Sequence, residues 1–142
     1  MIRYEISVPG KPQGKGRARV STYGGFARAY TPERTVAYEN LIKVCYSESG
    51  AGILENALKM TVTAFYGVPS SFSRKKRQSA LNGEIRPITK PDLDNVVKVV
   101  CDALNGIAYT DDKNIVELRA YKYYAESPRV EIVIEEVKSN GT

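Results

Sequence analysis

The chain has 142 residues, which is enough for one ordinary globular domain and too few for two. Hydrophobic residues make up 42% and charged residues 26%, a composition typical of a folded domain and not of a disordered one. No histidine occurs, so a Ser-His-Asp triad, a Cys-His pair and a histidine-bound zinc are excluded within this chain. We therefore treat residues 1–142 as a single domain.

The net charge of +5 is unevenly distributed along the chain. Residues 10–34 and residues 74–90 each carry six basic residues and one acidic residue, so the rest of the chain is net acidic. Segregated positive charge favours a polyanion such as nucleic acid as the partner, although a basic helix can also be only a solvated face. The candidate phosphate-binding residues are Lys11, Lys15, Arg17, Arg19, Arg74, Lys75, Lys76 and Arg77.

The two cysteines and the apolar segments indicate where the protein resides. Cys45 and Cys101 are far apart and lie among apolar residues, so we expect buried, reduced thiols. No apolar run is long enough to cross a membrane, and residues 1–10 alternate as a strand does and do not resemble a signal peptide. We therefore expect a cytoplasmic protein without membrane contact.

The N-terminal half predicts strands around one helix. Apolar residues alternate over Ile2–Val8, which predicts a half-buried strand. The Gly-, Lys- and Arg-rich segment Lys11–Gly25 predicts a loop or loose hairpin, followed by a short strand over Ala27–Tyr30. A helix is predicted next, with Thr31 as its cap and Pro32 at its first position, running to about Tyr46. Its expected apolar stripe consists of Tyr38, Leu41, Ile42 and Cys45.

The C-terminal half predicts two helices and three strands. A strand is predicted over Leu58–Tyr66, then a basic helix over Arg74–Leu81 capped by Ser73, then an extended connector over Glu84–Thr89. A third helix is predicted from Pro91, because apolar residues recur at helical spacing as far as Leu104. The last two strands, Ile115–Tyr123 and Arg129–Val137, are expected to form a hairpin. This order predicts an α+β fold, a mixed β-sheet with helices packed on it.

Carboxylates cluster at the predicted start of the third helix. Residues two apart do not share a helix face, but Asp92 on extended backbone and Asp94 in the first turn can converge just beyond the helix. The alternative is simple capping, which the helix dipole favours. Asn95, Lys98 and a later pair, Asp111-Asp112, make this set richer than capping requires, although that pair on its own is typical of a turn.

Oxygen ligands without histidine or cysteine suit Mg²⁺, or alternatively Mn²⁺, better than zinc. A metal held by a few carboxylates, with positions left for water and phosphate, is typical of phosphodiester hydrolysis. Lys98 would neutralise phosphate charge or orient the attacking water. A purely structural i,i+4 ion pair of Lys98 with Asp94 is equally compatible with the spacing.

These residues also carry a family resemblance. The block Lys90-Pro-Asp-Leu-Asp-Asn-Val-Val-Lys98, then Asp102-Ala-Leu-Asn-Gly106, then Asp111-Asp112, resembles the RusA-type Holliday-junction resolvases, small dimeric endonucleases common in prophages. The resemblance covers most of the chain. Further segments similar to family members are Val8-Pro-Gly-Lys-Pro12, Arg17-Ala-Arg19, Tyr30-Thr-Pro32, Ser73-Arg-Lys-Lys-Arg77 and Leu81-Asn-Gly83.

The resemblance implies a role for each matching position. Asp92, Asp94 and Asp112 fall on the family's metal-binding aspartates and Lys98 on its catalytic lysine, with Asp111 as the alternative third ligand. The role of Asn95 is left open. The resemblance further implies a RusA-like fold, Mg²⁺ dependence and a homodimer that makes paired nicks across a four-way DNA junction.

The leading hypothesis is therefore a Mg²⁺-dependent endodeoxyribonuclease that resolves four-way junctions in DNA recombination and repair. One alternative is a non-catalytic module that binds branched DNA, which the intact set of repelling carboxylates disfavours. Another is a metal-dependent nuclease for flaps or other structured nucleic acid, with the same residues. The dimer interface would lie on the edge strand Ile2–Val8 or on the first helix, with Tyr38, Leu41 and Cys45.

Overall fold

The computed structural model describes residues 2–16, 19–25 and 27–137, with only the backbone given for Arg19, Tyr23 and Arg28. The strands are β1 (Arg3–Pro9), β2 (Arg19–Ser21), β3 (Arg28–Tyr30), β4 (Leu58–Gly67), β5 (Ile115–Ala125) and β6 (Arg129–Glu136). The helices are α1 (Glu33–Glu48), α2 (Arg74–Leu81) and α3 (Leu93–Leu104), with short 3-10 helices at Tyr23–Gly25 and Asp112–Asn114.

The main sheet has four strands in the order β1-β6-β4-β5. β6 is antiparallel to both β1 and β4, whereas β5 is parallel to β4. β2 and β3 form a separate antiparallel hairpin within the basic N-terminal segment. A mixed sheet with helices packed on it was expected, and this fold class is confirmed.

One face of the sheet is buried because its alternate residues are apolar. On β4 these residues are Leu58, Met60, Val62, Ala64 and Tyr66, and each is 5% exposed or less. α1 and α3 pack against each other and against the sheet on this core. α3 therefore turns its apolar stripe to the sheet, and its polar face is left to carry the candidate site.

The expected hairpin of the last two strands is wrong. β6 enters the sheet between β1 and β4, and β5 lies at the far edge beside β4. The burial of the strands explains this order. Val130, Ile132 and Ile134 of β6 are fully buried, whereas Val116 and Leu118 of β5 are 60% and 48% exposed. The more apolar strand takes the central position, where both of its edges are paired.

Two helix starts also differ from expectation. α1 is capped by Pro32 and not by Thr31, and this cap makes no side-chain hydrogen bond. α3 begins at Leu93 with Asp92 as its N-cap, two residues later than the predicted start at Pro91. The caps of α2 agree with the sequence, since the Ser73 hydroxyl accepts a hydrogen bond from the Lys76 backbone N–H at 3.2 Å.

The free cysteines Cys45 and Cys101 are both half-buried. Burial raises the pKa of the Cys101 thiol to about 11, with the negative charge of Asp112 as the second cause. This thiol is therefore protonated at neutral pH and is a poor nucleophile. Among the described residues, no helix is long and apolar enough to cross a membrane.

Candidate active site

The N-terminus of α3 presents two exposed carboxylates. Asp92 is the N-cap residue, yet its side chain makes no capping hydrogen bond, and Asp94 lies in the first turn. Capping therefore does not account for Asp92, which leaves its carboxylate available for a ligand. The negative charge of Asp92 is felt by Tyr66, whose pKa is raised to about 12, mainly by burial and secondly by this carboxylate.

Two contacts hold this end of α3 in place. The Tyr66 hydroxyl donates a hydrogen bond to the Pro91 carbonyl at 2.5 Å, and the Lys15 backbone N–H donates to the Asn95 carbonyl at 3.1 Å. Gly14 lies beside the second contact, where a side chain would fit only tightly. A Cβ on Gly14 would lie 3.0 Å from the Asn95 Cβ and 3.1 Å from the Pro91 Cβ. The loop that precedes β2 is thus packed against Pro91 and Asn95, the residues that flank the two aspartates.

The neighbouring residues Asp111 and Asp112 have different roles. The Asp111 carboxylate accepts a hydrogen bond from the Asp112 backbone N–H at 2.8 Å and caps the 3-10 helix. Asn114 completes this capping box, since its side chain accepts a hydrogen bond from the Asp111 backbone N–H at 3.2 Å. The Asp111 carboxylate is therefore engaged in capping the local backbone.

Asp112 is half-buried, and its Oδ1 is a buried oxygen without a hydrogen-bond partner among the described residues. The Asp112 carboxylate lies close enough to Tyr109 and Cys101 to contribute to their raised pKa values, after burial as the largest cause. The Tyr109 hydroxyl donates to the Cys101 carbonyl at 2.7 Å and is also within hydrogen-bond reach of the Asp112 carboxylate, but Asp112 Oδ1 has no partner among the described residues. An unpaired buried carboxylate oxygen is costly unless a cation or donor joins it.

The three predicted metal ligands do not form one cluster. Asp112 lies near Cys101, which follows Asp94 by seven residues on α3 and so lies about 10 Å further along the helix axis. Within the described ranges, no three acidic or cysteine side chains are close enough to hold a metal ion. The donor chemistry and the unpaired Asp112 oxygen fit a hard cation, and the assignment of Asp92, Asp94 and Asp112 as its ligands stays a prediction.

Lys98 is paired differently from the expected helix pair. Its ammonium lies 3.2 Å from Asp102 Oδ1, one turn further along α3, and not beside Asp94. The side chain is 61% exposed, so the ammonium can also reach a phosphate. The alternative prediction, an ion pair between Lys98 and Asp94, is therefore wrong. The role of Lys98 in catalysis stays a prediction.

Lys15 was predicted to bind phosphate, but its ammonium is shared by two carboxylates. Its Nζ lies 3.1 Å from Asp102 Oδ2 and 3.2 Å from Glu39 Oε2, and its side chain is largely buried. Burial alone would lower the pKa of Lys15, but the hydrogen bonds to Asp102 and Glu39 outweigh it and the pKa is raised. This lysine is therefore charged and neutralised within the protein.

A cleft of about 730 Å³ lies between the N-terminal loop and the start of α3. It is lined by Asp92 on one side and by the cations Lys11, Arg34 and Lys90. Arg34 and Lys90 belong to the two basic segments, but sequence reasoning did not single them out as site residues. Their position beside Asp92 makes this cleft a suitable channel for a phosphate backbone.

The basic helix α2 supplies a second positive surface. Arg74, Lys75 and Lys76 are exposed, and Lys76 also lies 4.2 Å from the centroid of the Phe72 ring. Arg77 is 3.9 Å from Glu126 and is partly neutralised. Of the remaining predicted contacts, Arg17 and the side chain of Arg19 lie outside the described residues.

Comparison with known proteins places the chain in a family. The family model described as "Endodeoxyribonuclease RusA" matches residues 9–135, a range that holds both basic segments and all the candidate carboxylates. The chain belongs to the RusA endodeoxyribonuclease family. The confirmed fold class and the block from Lys90 to Lys98 agree with this membership.

Two relatives of this RusA-family chain differ in how much they match. "Uncharacterized protein YqaN" of Bacillus subtilis (strain 168) is 36% identical over 138 residues, which cover 95% of this chain and 97% of that protein. "Crossover junction endodeoxyribonuclease rusA" of Lactococcus phage r1t is 38% identical over 81 residues, covering 56% of this chain and 55% of that protein. The phage protein is thus similar over about half of its length.

Proposed function

We propose that this protein is a Mg²⁺-dependent endonuclease that resolves four-way DNA junctions by paired phosphodiester hydrolysis. The observation that carries the proposal is the buried, unpaired oxygen of Asp112 on the polar side of the helix that presents Asp94 and Lys98. The nuclease family and the name of the phage relative support the substrate. Recombination and repair are the processes that supply such junctions.

The proposed mechanism assigns each group a separate task. Asp92, Asp94 and Asp112 do not form one cluster in the structure, and they would hold Mg²⁺ once the ion drew the carboxylates together. The ion would supply an activated water and charge neutralisation at the phosphate. Lys98 would donate hydrogen bonds to the scissile phosphate, because its ammonium is exposed and can exchange bound water for a phosphate oxygen. Lys11, Arg34 and Lys90 would hold the flanking phosphates in the cleft without reading the base sequence.

The experiment that tests this function compares nucleic acid substrates. The purified protein is incubated with a labelled four-way junction, a flap, a linear duplex and a single strand, with Mg²⁺, with Mn²⁺ or with EDTA. We expect symmetric nicks in the junction only when a divalent metal is present. Binding of the junction without cleavage under either metal would support the binding module instead, and preferential flap cleavage would support a different nuclease.

We further propose a homodimer that pairs the outer edges of two β5 strands. Tyr38 of α1 is only 3% exposed, so the predicted interface on that helix cannot use it. β5 is an edge strand with exposed apolar residues, Val116 and Leu118. The Arg86 side chain donates to the Lys122 carbonyl at 2.6 Å, so the C-terminal part of β5 is covered and its N-terminal part is available.

The charges of β5 are self-complementary across a two-fold axis. In an antiparallel pair centred on Leu118, Glu117 of one protomer lies opposite Arg119 of the other, and the same contact occurs twice. Opposite charges on paired strands are stabilising and like charges are destabilising. This arrangement favours pairing of β5 with its own copy over pairing with an unrelated strand.

Charge reversal at the proposed interface should weaken the dimer. Arg119→Glu places like charges opposite each other twice, so we expect the dissociation constant to rise about 10-fold or more. Combining Glu117→Arg with Arg119→Glu restores opposite charges and should restore the wild-type dissociation constant. Sedimentation equilibrium measures both. An interface elsewhere is indicated if the double variant is no better than the single one.

The cations of α2 should control the salt dependence of junction binding. Replacing Lys75 and Lys76 by glutamine removes two exposed charges, so the slope of log K against log salt should decrease by about 1 for each lost phosphate contact. Lys43→Gln, on α1 outside both basic segments, is the control and should leave the slope unchanged. Fluorescence anisotropy in EDTA at several salt concentrations gives these slopes. Equal slopes for all variants would exclude α2 from the DNA interface.

A further inference from the structure

We propose that Asp102 is a positioning residue that holds the Lys98 ammonium for catalysis and is itself held by Lys15. This inference rests on the proposed function, because it takes Lys98 as the residue that contacts the phosphate. It assigns Lys15 to the support of the site and removes it from the DNA-binding residues.

Asp102 uses one carboxylate oxygen for each lysine. Its Oδ1 lies 3.2 Å from Lys98 Nζ, and its Oδ2 lies 3.1 Å from Lys15 Nζ. Lys15 is in turn 3.2 Å from Glu39 Oε2 on α1. The four side chains form a neutral chain of two carboxylates and two ammonium groups that crosses from α1 to the polar face of α3.

The four side chains of this network differ in exposure: three are mostly buried and support the site, and Lys98 is exposed to the substrate side. The side chains of Lys15, Asp102 and Glu39 are 24%, 22% and 15% exposed, whereas Lys98 is 61% exposed. An isolated exposed i,i+4 pair holds its lysine only weakly, because both side chains must be ordered for it. Here the carboxylate is already fixed by Lys15, so the pairing with Asp102 restricts Lys98 alone.

The same lysine fastens the N-terminal loop to the site. The Lys15 backbone N–H donates to the Asn95 carbonyl at 3.1 Å, and the Gly16 backbone N–H donates to the Thr35 hydroxyl at 3.0 Å. The loop that carries Lys11 into the cleft is therefore anchored through Lys15 to the residue that holds Lys98. A phosphate in the cleft and a phosphate at Lys98 would share this one support.

The first test is a double-mutant cycle on cleavage of the four-way junction. Asp102→Asn keeps the shape of the side chain and removes its charge, so we expect kcat to decrease about 10- to 100-fold with little change in KM. In a Lys98→Ala background the same change should cost less than about 2-fold, because the group that it positions is gone. Equal losses in both backgrounds would overturn the proposal, since Asp102 would then act through the fold.

Two further variants separate positioning from general support. Glu39→Gln removes the other carboxylate partner of Lys15 but leaves Asp102 and Lys98 intact, so kcat should stay within about 3-fold of the wild-type value. Asp102→Glu keeps the charge and should recover more of kcat than Asp102→Asn does. Thermal unfolding of each variant identifies any that fails to fold.

A spectroscopic measurement keeps this proposal independent of the enzyme activity. The ammonium signal of Lys98 in heteronuclear NMR should be sharp in the wild-type protein, because pairing with Asp102 slows hydrogen exchange. The same signal should be broader in Asp102→Asn. If the wild-type protein cleaves no junction but Lys98 responds in this way, the proposed function fails and the positioning stands. If the Lys98 signal is the same in both proteins, the positioning fails whatever the activity.

Discussion

Asp112→Asn is expected to reduce junction cleavage by about 10³-fold or more, whereas Asp111→Asn leaves it close to the wild-type rate. The two residues are neighbours with the same side chain, but only Asp112 has a buried oxygen without a partner among the described residues. An amide cannot supply the charge that a divalent metal requires there. Asparagine caps a helix as well as aspartate does, so Asp111→Asn preserves the capping hydrogen bond to the Asp112 backbone N–H.

Single-turnover cleavage at fixed Mg²⁺ measures the difference between the two variants. Junction binding in EDTA provides the control, because neither substitution removes a basic residue and both should bind as the wild-type protein does. The reverse pattern, with Asp111→Asn inactive and Asp112→Asn active, would make Asp111 the third ligand. Equal, nearly full activity of both would remove this segment from the site.

The sequence pattern predicts strands well where one face is buried. The alternation of Leu58–Tyr66 predicts β4 to within one residue, because every second side chain enters the core. Pairing partners are harder to predict, because neighbouring strands with a short connection usually pair with each other. β5 and β6 do not pair with each other. The alternate residues of β6 are buried because β6 lies in the centre of the sheet, and this position becomes evident only when the sheet is assembled.

The candidate site was predicted where its residues are close in sequence. The carboxylates at the start of α3 and the basic helix α2 follow from local patterns of charge and capping. The ion pairs of Lys15 join residues on different elements, so no local pattern indicates them. Asp111 and Asp112 are indistinguishable by spacing, and only their hydrogen bonds and burial assign them different roles.

Four buried tyrosines, Tyr38, Tyr46, Tyr66 and Tyr109, should make the folded state unstable at high pH, because burial raises the pKa of each. Burial raises the pKa values of Tyr38, Tyr46 and Tyr66 from 10.0 to about 12, as the largest cause in each case. The folded state therefore holds these protons more tightly than the unfolded chain, so the stabilisation is complete below pH 10 and is lost as the pH rises towards 12. Shifts of this size correspond to at most about 2–3 kcal/mol for each tyrosine, so the loss of several of them would remove a large fraction of the stability of a domain.

We expect the free energy of unfolding to be nearly constant from about pH 7 to pH 9 and to decrease steeply above about pH 10. Denaturant unfolding at a series of pH values measures it, and the ultraviolet absorbance of tyrosinate reports the ionisation. The chain has ten tyrosines, so the number ionised is the informative quantity. Ionisation of all ten near pH 10 without loss of structure would contradict the argument, because the buried hydroxyls would then ionise in the folded state.

Two phenylalanine variants separate burial from hydrogen bonding at neutral pH. The Tyr38 hydroxyl is buried and no group among the described residues meets full hydrogen-bond geometry with it, although the Gln13 backbone lies close enough to lower its pKa, so Tyr38→Phe should change stability by less than about 1 kcal/mol. The Tyr46 hydroxyl donates to the Gly52 carbonyl, so Tyr46→Phe should cost about 1 kcal/mol. Both variants should make the alkaline decrease shallower, because each removes one ionisable group. A Tyr38→Phe protein that is clearly less stable at pH 7 would mean that this hydroxyl has a partner, and the alkaline instability would then depend on more than burial.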